Sequence, residues 1–325
     1  MVRAGAFSLG IEQFALTATM GGSLGRGLGV RAVCFHGRPW GYPVTNEFGV
    51  VVVGFESGDQ WGEFLVAWEQ SSMKPRQIVV VDNSPTPDLP GKNQTTIPTR
   101  GVSNSSNEGY GQAVNRGVAL LESRHSWVIV CNPDVRVQAD TVEKLLAHSN
   151  DFDKTAVIGP RIINARGETY PSARAIPGIR VGIGHALFSN LWPTNPWTER
   201  YLGIYRGNES RSVGWLSGSF LLIRRDVFDS LGGFDPAYFM FFEDVDLGRR
   251  VKSSGHRNIY APDAAITHLG ATSTSRHEKA MLLAHHESAR RFLNTLYSKW
   301  YHGPLRGLLT LGLRLRARFQ TRNLP

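Results

Sequence analysis

Three carboxylates, Glu243, Asp244 and Asp246, follow directly on the aromatic run Tyr238 to Phe242. Ionised carboxylates set against apolar bulk lose hydration, so such an arrangement persists where a metal, a cation or a proton-transfer task compensates. A carboxylate placed in this way is suited to general-base chemistry. The competing reading is structural: an acidic first turn on a helix running through Leu247 and Val251 to a stop at Gly255, stabilised by the helix dipole.

Two polar groups stand at the ends of apolar runs. Gln77 to Asn83 reads as a buried strand ending in Asp82 and Asn83, just before the turn residues Ser84 and Pro85. Ligands of open parallel sheets bind at the carboxyl ends of strands, so this pair is placed to meet a base or a ribose, although turn chemistry also favours Asp-Asn there. Trp127 to Val135 is a second buried strand, broken abruptly by Asn132, Pro133 and Asp134. A carboxylate exposed at a strand end beside a rigid proline can hold a divalent cation that clamps a diphosphate. Between the two strands, Asn107 to Gly117 forms a turn containing Gly109 and Gly111 that opens a helix with Val114, Val118 and Leu121 on one face. Its start offers backbone N–H groups to an anion. The third glycine of a dinucleotide fingerprint is absent, which argues against a dehydrogenase.

The elements that must position these groups begin at Phe48. Gly49 to Gly54 reads as a buried strand, Trp61 to Ser71 as a helix and Gln77 to Asn83 as the next strand, a parallel βαβ unit. A chain of 325 residues, 41% hydrophobic and 19% charged, can bury a substantial core. The two cysteines, Cys34 and Cys131, do not make a disulfide framework and suit a reducing cytosol. No run approaches the roughly 18 apolar residues of a spanning helix. The net charge of +9 is uneven: no Asp or Glu follows Glu287, while eight lysines and arginines do. The same tail carries Trp300, Tyr301, Leu305, Leu308, Leu309, Leu311, Leu313, Leu315 and Phe319, a mixture suited to an anionic membrane surface or to a helix packed on the domain with a solvated basic face. No nucleic-acid module accompanies the charge. Residues 1–46, with clustered glycines and little periodicity, read as a poorly ordered extension.

In sequence order, Val-Val-Val-Asp-Asn-Ser, Asn-x-Gly-Tyr-Gly-x-Ala-x-Asn, Asn-Pro-Asp-Val, Trp-Leu-Ser-Gly-Ser-Phe and Phe-Phe-Glu-Asp-Val-Asp-Leu resemble the motif series of family 2 inverting glycosyltransferases. Within that group the chain is similar to bacterial rhamnosyltransferases, over about residues 48–275. The resemblance implies a GT-A-like α/β fold with a central, mainly parallel sheet flanked by helices. It divides the chain into a nucleotide-sugar-binding half (47–158), an acceptor-binding and catalytic half (159–275) and a basic amphipathic helical tail (276–325).

The resemblance also implies roles. Asp244 matches the catalytic base of a single in-line displacement. Asp82 matches the residue contacting the nucleotide base, with Asn83, Gly109, Gly111, Asn115, Asn132 and Asp134 completing the donor site. Asp134 matches the last acidic position of the metal-binding Asp-x-Asp motif, whose first position here is Asn132, and His268 matches a further ligand of the divalent cation, Mn2+ or Mg2+. Trp215, Ser217, Gly218 and Glu243 are expected to bind the acceptor, with Asp246 capping the helix. The implied donor is dTDP-L-rhamnose and the acceptor a cell-envelope glycan; the basic apolar tail adds a polyprenyl-diphosphate-linked sugar as acceptor, in the cytoplasm or on the inner face of the cell membrane. A UDP- or GDP-sugar donor, and a silent nucleotide-sugar-binding scaffold at a membrane surface, are the alternatives.

Overall fold

Continuous β-branched runs build the centre of the molecule. β1 (Phe48–Gly54) is buried along its whole length, as is β2 (Gln77–Asp82) beyond its first residue. With β3 (Thr99–Ser103) and the fully buried β4 (Trp127–Cys131) they form a parallel sheet ordered β3-β2-β1-β4. Unbroken apolar strands of this kind mark a sheet covered on both faces. Alternate β1 residues face opposite layers: Val50 and Val52 join the core of α1 (Gln60–Glu69), and Val51 and Val53 join that of α2 (Tyr110–Leu120). Gly117 lets α2 close on the sheet, since a Cβ there would lie 2.4 Å from Val51.

The computed structural model describes residues 47–91, 94–123, 125–178, 209–270 and 278–322. The expected extension over 1–46, and Cys34 within it, lie outside these. After β4 come β5 (Val135–Val137), α3 (Thr141–Ala147), β6 (Thr155–Asn164), β7 (Thr169–Tyr170) and β8 (Ala173–Arg174). They are followed by β9 (Arg211–Val213), β10 (Trp215–Leu216), β11 (Phe220–Arg224) and α4 (Arg225–Ser230). α5 (Glu243–Ser253), β12 (Arg257–His268), α6 (Glu278–Leu296) and α7 (Gly303–Thr321) complete the chain. The sheet continues β4-β11-β6-β12-β5, with β11 antiparallel to both neighbours and β6 parallel to β12. β8 and β10 form a separate antiparallel pair. The expected α/β architecture, a central and mainly parallel sheet flanked by helices, is present.

The division at 158/159 falls inside β6, so both halves share one sheet. The tail packs on the domain through its first helix. Phe292 of α6 is fully buried against Tyr238 and Val245, and the Ser288 hydroxyl donates to the Met240 carbonyl at 2.8 Å. α7 packs on α6. Among the described residues no helix is long and apolar enough to cross a membrane.

Candidate active site

The start of α5 is aimed by a strained turn. Phe241 and Phe242 have φ of 65° and 64°, a left-handed conformation that costs a bulky residue about 1–3 kcal/mol. Packing holds it: the Phe242 ring lies 5.6 Å from that of Phe292, and the His285 ring of α6 lies 5.4 Å from Phe241 and 5.5 Å from Phe242. The helix therefore begins with Glu243 and Asp244 at the wall of a cavity of about 770 Å3.

Asp244 is fixed at both oxygens. The Gly218 N–H donates to Oδ2 at 2.9 Å and the Val245 N–H to Oδ1 at 2.8 Å. Gly218 is itself held by the Tyr110 hydroxyl, which donates to its carbonyl at 2.6 Å. Burial raises the Asp244 pKa above its ordinary value, against the two N–H bonds and the charge of Arg174. Glu243 beside it is only 6% exposed, and its Oε2 has no hydrogen-bond partner among the described residues. Burial, and then the Asp244 charge, push the Glu243 pKa up to about 8. A base whose pKa is raised toward neutrality is matched to proton abstraction near pH 7. Asp246 belongs to a different arrangement: 2% exposed, it pairs with Arg249 at 2.8 Å and Arg250 at 2.6 Å. The expected helix cap is instead an ion-paired residue one turn into α5.

Across the cavity, Asp134 follows β4 and His268 ends β12. The Leu269 N–H donates to the Asp134 carbonyl at 3.1 Å, and His268 Nε2 lies 3.1 Å from Asp134 Oδ1 and 3.4 Å from Asn132 Nδ2. Among the described residues no group of three or more His, Cys, Asp or Glu side chains converges on a metal position. A carboxylate and an imidazole nevertheless fit a Mg2+- or Mn2+-like ion, which takes its remaining ligands from substrate phosphates and water.

Of the expected site residues, Asn83, Asn132, Asp134, Trp215, Ser217, Gly218, Glu243, Asp244 and His268 line this one cavity. Asp82, Gly109, Gly111 and Asn115 do not, and each has a structural task. Asp82 is fully buried, and its carboxylate accepts from the Ser84 and Asp88 N–H groups at 2.9 and 2.8 Å and from the Ser103 hydroxyl at 3.2 Å. It shapes the loop after β2. Asn115 clamps Phe234, donating to its carbonyl at 2.8 Å and accepting from its N–H at 2.9 Å. Gly109, with φ 86°, sits where a Cβ would meet the Phe239 carbonyl oxygen at 2.0 Å, and a Cβ at Gly111 would lie 2.9 Å from that of Phe234. These two glycines let α2 and the turn before α5 touch.

The sequence reading missed Tyr110, Arg174 and His285, all of which line the cavity. Tyr110 stands between Gly109 and Gly111, where the glycine turn is the stronger local signal. Arg174 is on a two-residue strand with no periodicity to flag it, and His285 is on a helix assigned to the tail.

The profile described as "Glycosyltransferase like family 2" matches residues 46–283. Among curated relatives, the N-acetylglucosaminyl-diphospho-decaprenol L-rhamnosyltransferase of Mycobacterium tuberculosis is 37% identical over 290 residues, 86% of this chain and 94% of the relative. The O-antigen chain rhamnosyltransferase WbaN of Salmonella anatum is 25% identical over 226 residues, 68% of this chain and 65% of the relative. Among solved structures, S. aureus TarS superposes with a TM-score of 0.48 at 15% identity, covering 83% of this chain and 49% of that one. With its profile match and its 37% identical relative, the chain belongs to glycosyltransferase family 2, resembles the bacterial rhamnosyltransferases within it, and is a glycosyltransferase.

Proposed function

We propose that the enzyme transfers L-rhamnose from dTDP-L-rhamnose to a hydroxyl of a polyprenyl-diphosphate-linked sugar by a single inverting displacement. The observation that carries this is the Asp244 carboxylate, held by two N–H donors on the wall of the cavity that also receives Asp134 and His268. Asp244 takes the proton of the acceptor hydroxyl as that oxygen attacks the anomeric carbon. Gly218 and Val245 keep the carboxylate aimed through the transfer. Asn83 stands at the nucleotide side of the cavity, fixed by donating to the Gly109 carbonyl at 3.2 Å and accepting from Asn104 at 2.7 Å. Trp215, tied to the Ala175 carbonyl at 3.0 Å, offers an edge of aromatic surface to a sugar. Asp134 and His268 would hold the divalent cation, which when bound supplies positive charge to the departing diphosphate.

The relative named for a decaprenol-linked substrate supports the lipid acceptor, and α7 supports a membrane location. Leu308, Leu311, Leu315 and Phe319, three or four residues apart, are all exposed, as are Arg314, Arg316 and Arg318 beside them. An apolar stripe edged by arginines lies in the plane of an anionic bilayer surface. Incubation with dTDP-L-rhamnose and a polyprenyl-diphosphate-linked N-acetylglucosamine should yield the rhamnosylated lipid in the presence of Mg2+ or Mn2+. Transfer from UDP- or GDP-sugars alone would overturn the donor. Leu311→Asp with Leu315→Asp should abolish flotation with anionic liposomes, and unchanged flotation would overturn the membrane face.

A further inference from the structure

Arg174 is the only lysine or arginine among the described residues that line the cavity, and the displacement described above gives it no task. It lies on β8 directly across from Trp215 of β10. Its guanidinium is 5.7 Å from the centroid of the Trp215 ring and 5.8 Å from that of Tyr170, and its Nε donates to the Pro171 carbonyl at 2.8 Å. No carboxylate among the described residues forms an ion pair with it. A cation set between two rings and anchored through one nitrogen has lost most of its rotamer freedom before any ligand arrives. That is a preparation for recognising a planar or forked anion rather than for remaining a solvated surface charge.

Its position tells which anion. In an in-line displacement the acceptor oxygen and the leaving diphosphate occupy opposite faces of the transferred sugar. The leaving diphosphate belongs toward Asp134 and His268. Arg174 is tied to Asp244: its charge acts on that carboxyl, and the short segment from its strand partner Trp215 to Gly218 leads to the N–H that holds it. An anion carried by the acceptor is therefore the one that meets Arg174. We propose that Arg174 is an acceptor-binding residue that grips the diphosphate joining the acceptor sugar to its lipid, so that the enzyme reads the diphosphate as well as the sugar. This rests on the lipid-diphosphate acceptor proposed above.

The test is direct binding to the full-length protein of three probes: N-acetylglucosamine linked through a diphosphate to a farnesyl chain, the same sugar on a farnesyl ether without phosphate, and dTDP. Arg174→Ala should weaken the diphosphate-linked probe about 10- to 100-fold, as expected for loss of charge-assisted hydrogen bonds. Affinity for the neutral probe and for dTDP should stay within about twofold of wild type. Arg174→Lys, which keeps the charge and not the fork, should recover part of the loss and guards against a misfolded alanine variant. Equal binding of the diphosphate probe by wild type and both variants overturns the proposal, as does parallel weakening of both sugar probes. Selective loss of dTDP would reassign Arg174 to the donor diphosphate and overturn it too. Wild-type protein that binds the diphosphate probe through Arg174 without rhamnosylating it would refute the proposed transfer and leave this subsite standing.

Discussion

At the strand ends Asp82, Asn83, Asp134 and His268 each have a protein partner, whereas at the start of α5 a buried carboxylate keeps an open oxygen behind two residues in left-handed conformation. The first region is relaxed and the second is strained. A pocket that binds a nucleotide diphosphate benefits from groups already aimed. A base has to be desolvated to be effective near neutrality, and desolvation of a carboxylate is destabilising. The free energy spent at α5 is offset elsewhere, by the fully buried sheet and by the docking of Phe292. Substitutions should therefore fall into two classes, affecting chemistry on the α5 side and binding or stability on the strand side.

The sharpest division comes from Asp244→Asn, which keeps the shape and one of the two N–H contacts, since only its amide oxygen accepts, and removes the proton acceptor. Turnover should fall by about 10²- to 10⁴-fold, with dTDP affinity unchanged in calorimetry. A variant that keeps more than about a tenth of wild-type turnover would remove Asp244 from the base role. Asp134→Ala should do the reverse, lowering cation-dependent dTDP affinity by about 10- to 100-fold, the range seen even for groups supporting a metal ligand. Equal affinity with and without Mn2+ in both proteins would break the metal assignment.

Asp82→Ala separates structural from ligand-binding roles on the strand side. It strands the buried Ser84 N–H together with the part-buried Asp88 N–H and Ser103 hydroxyl, and an unsatisfied buried group costs about 1–3 kcal/mol. The melting temperature should drop by several degrees while the remaining folded enzyme keeps its turnover number. A normal melting temperature with a raised KM for the donor would return Asp82 to the nucleotide.

How much was legible follows from what kind of signal each residue carries. β1, β2 and β4 announce themselves as unbroken β-branched runs, and their polar ends mark the ligand side of the sheet without any knowledge of the fold. The distinction between Asp82, turned into its own loop, and Asn83, turned into the cavity, depends on where Ser84, Asp88 and Ser103 deliver their donors. No local pattern carries that. β8 and β10 have two residues each and exist through their pairing with one another, so Arg174 had no periodicity to expose it. In sequence α6 carries the signal of a basic tail, because charge is visible there and packing is not. The burial of Phe292 against Tyr238 and Val245 is a contact across some 50 residues.

The smallest effect sharpens the comparison most finely. The Glu243 pKa is raised from the ordinary 4.5 to about 8 in the folded protein, so the folded state holds this proton more tightly than the unfolded chain. Its contribution to stability is then fully present below pH 4.5 and is lost as pH rises through about 8, because only the unfolded state releases the proton readily in that window. Glu243→Gln stays neutral and has no such dependence. Wild type minus variant melting temperature should therefore decline steadily from about pH 5 to pH 9. Protonated Glu243 is already a neutral neighbour of Asp244 below about pH 8, so the same substitution should leave the acid limb of the kcat profile in place. Parallel melting curves, or an acid limb that moves to lower pH in the variant, would mean that Glu243 is ionised in the folded protein. The contrast between a relaxed donor side and a strained catalytic side would then rest on the Phe241–Phe242 turn alone.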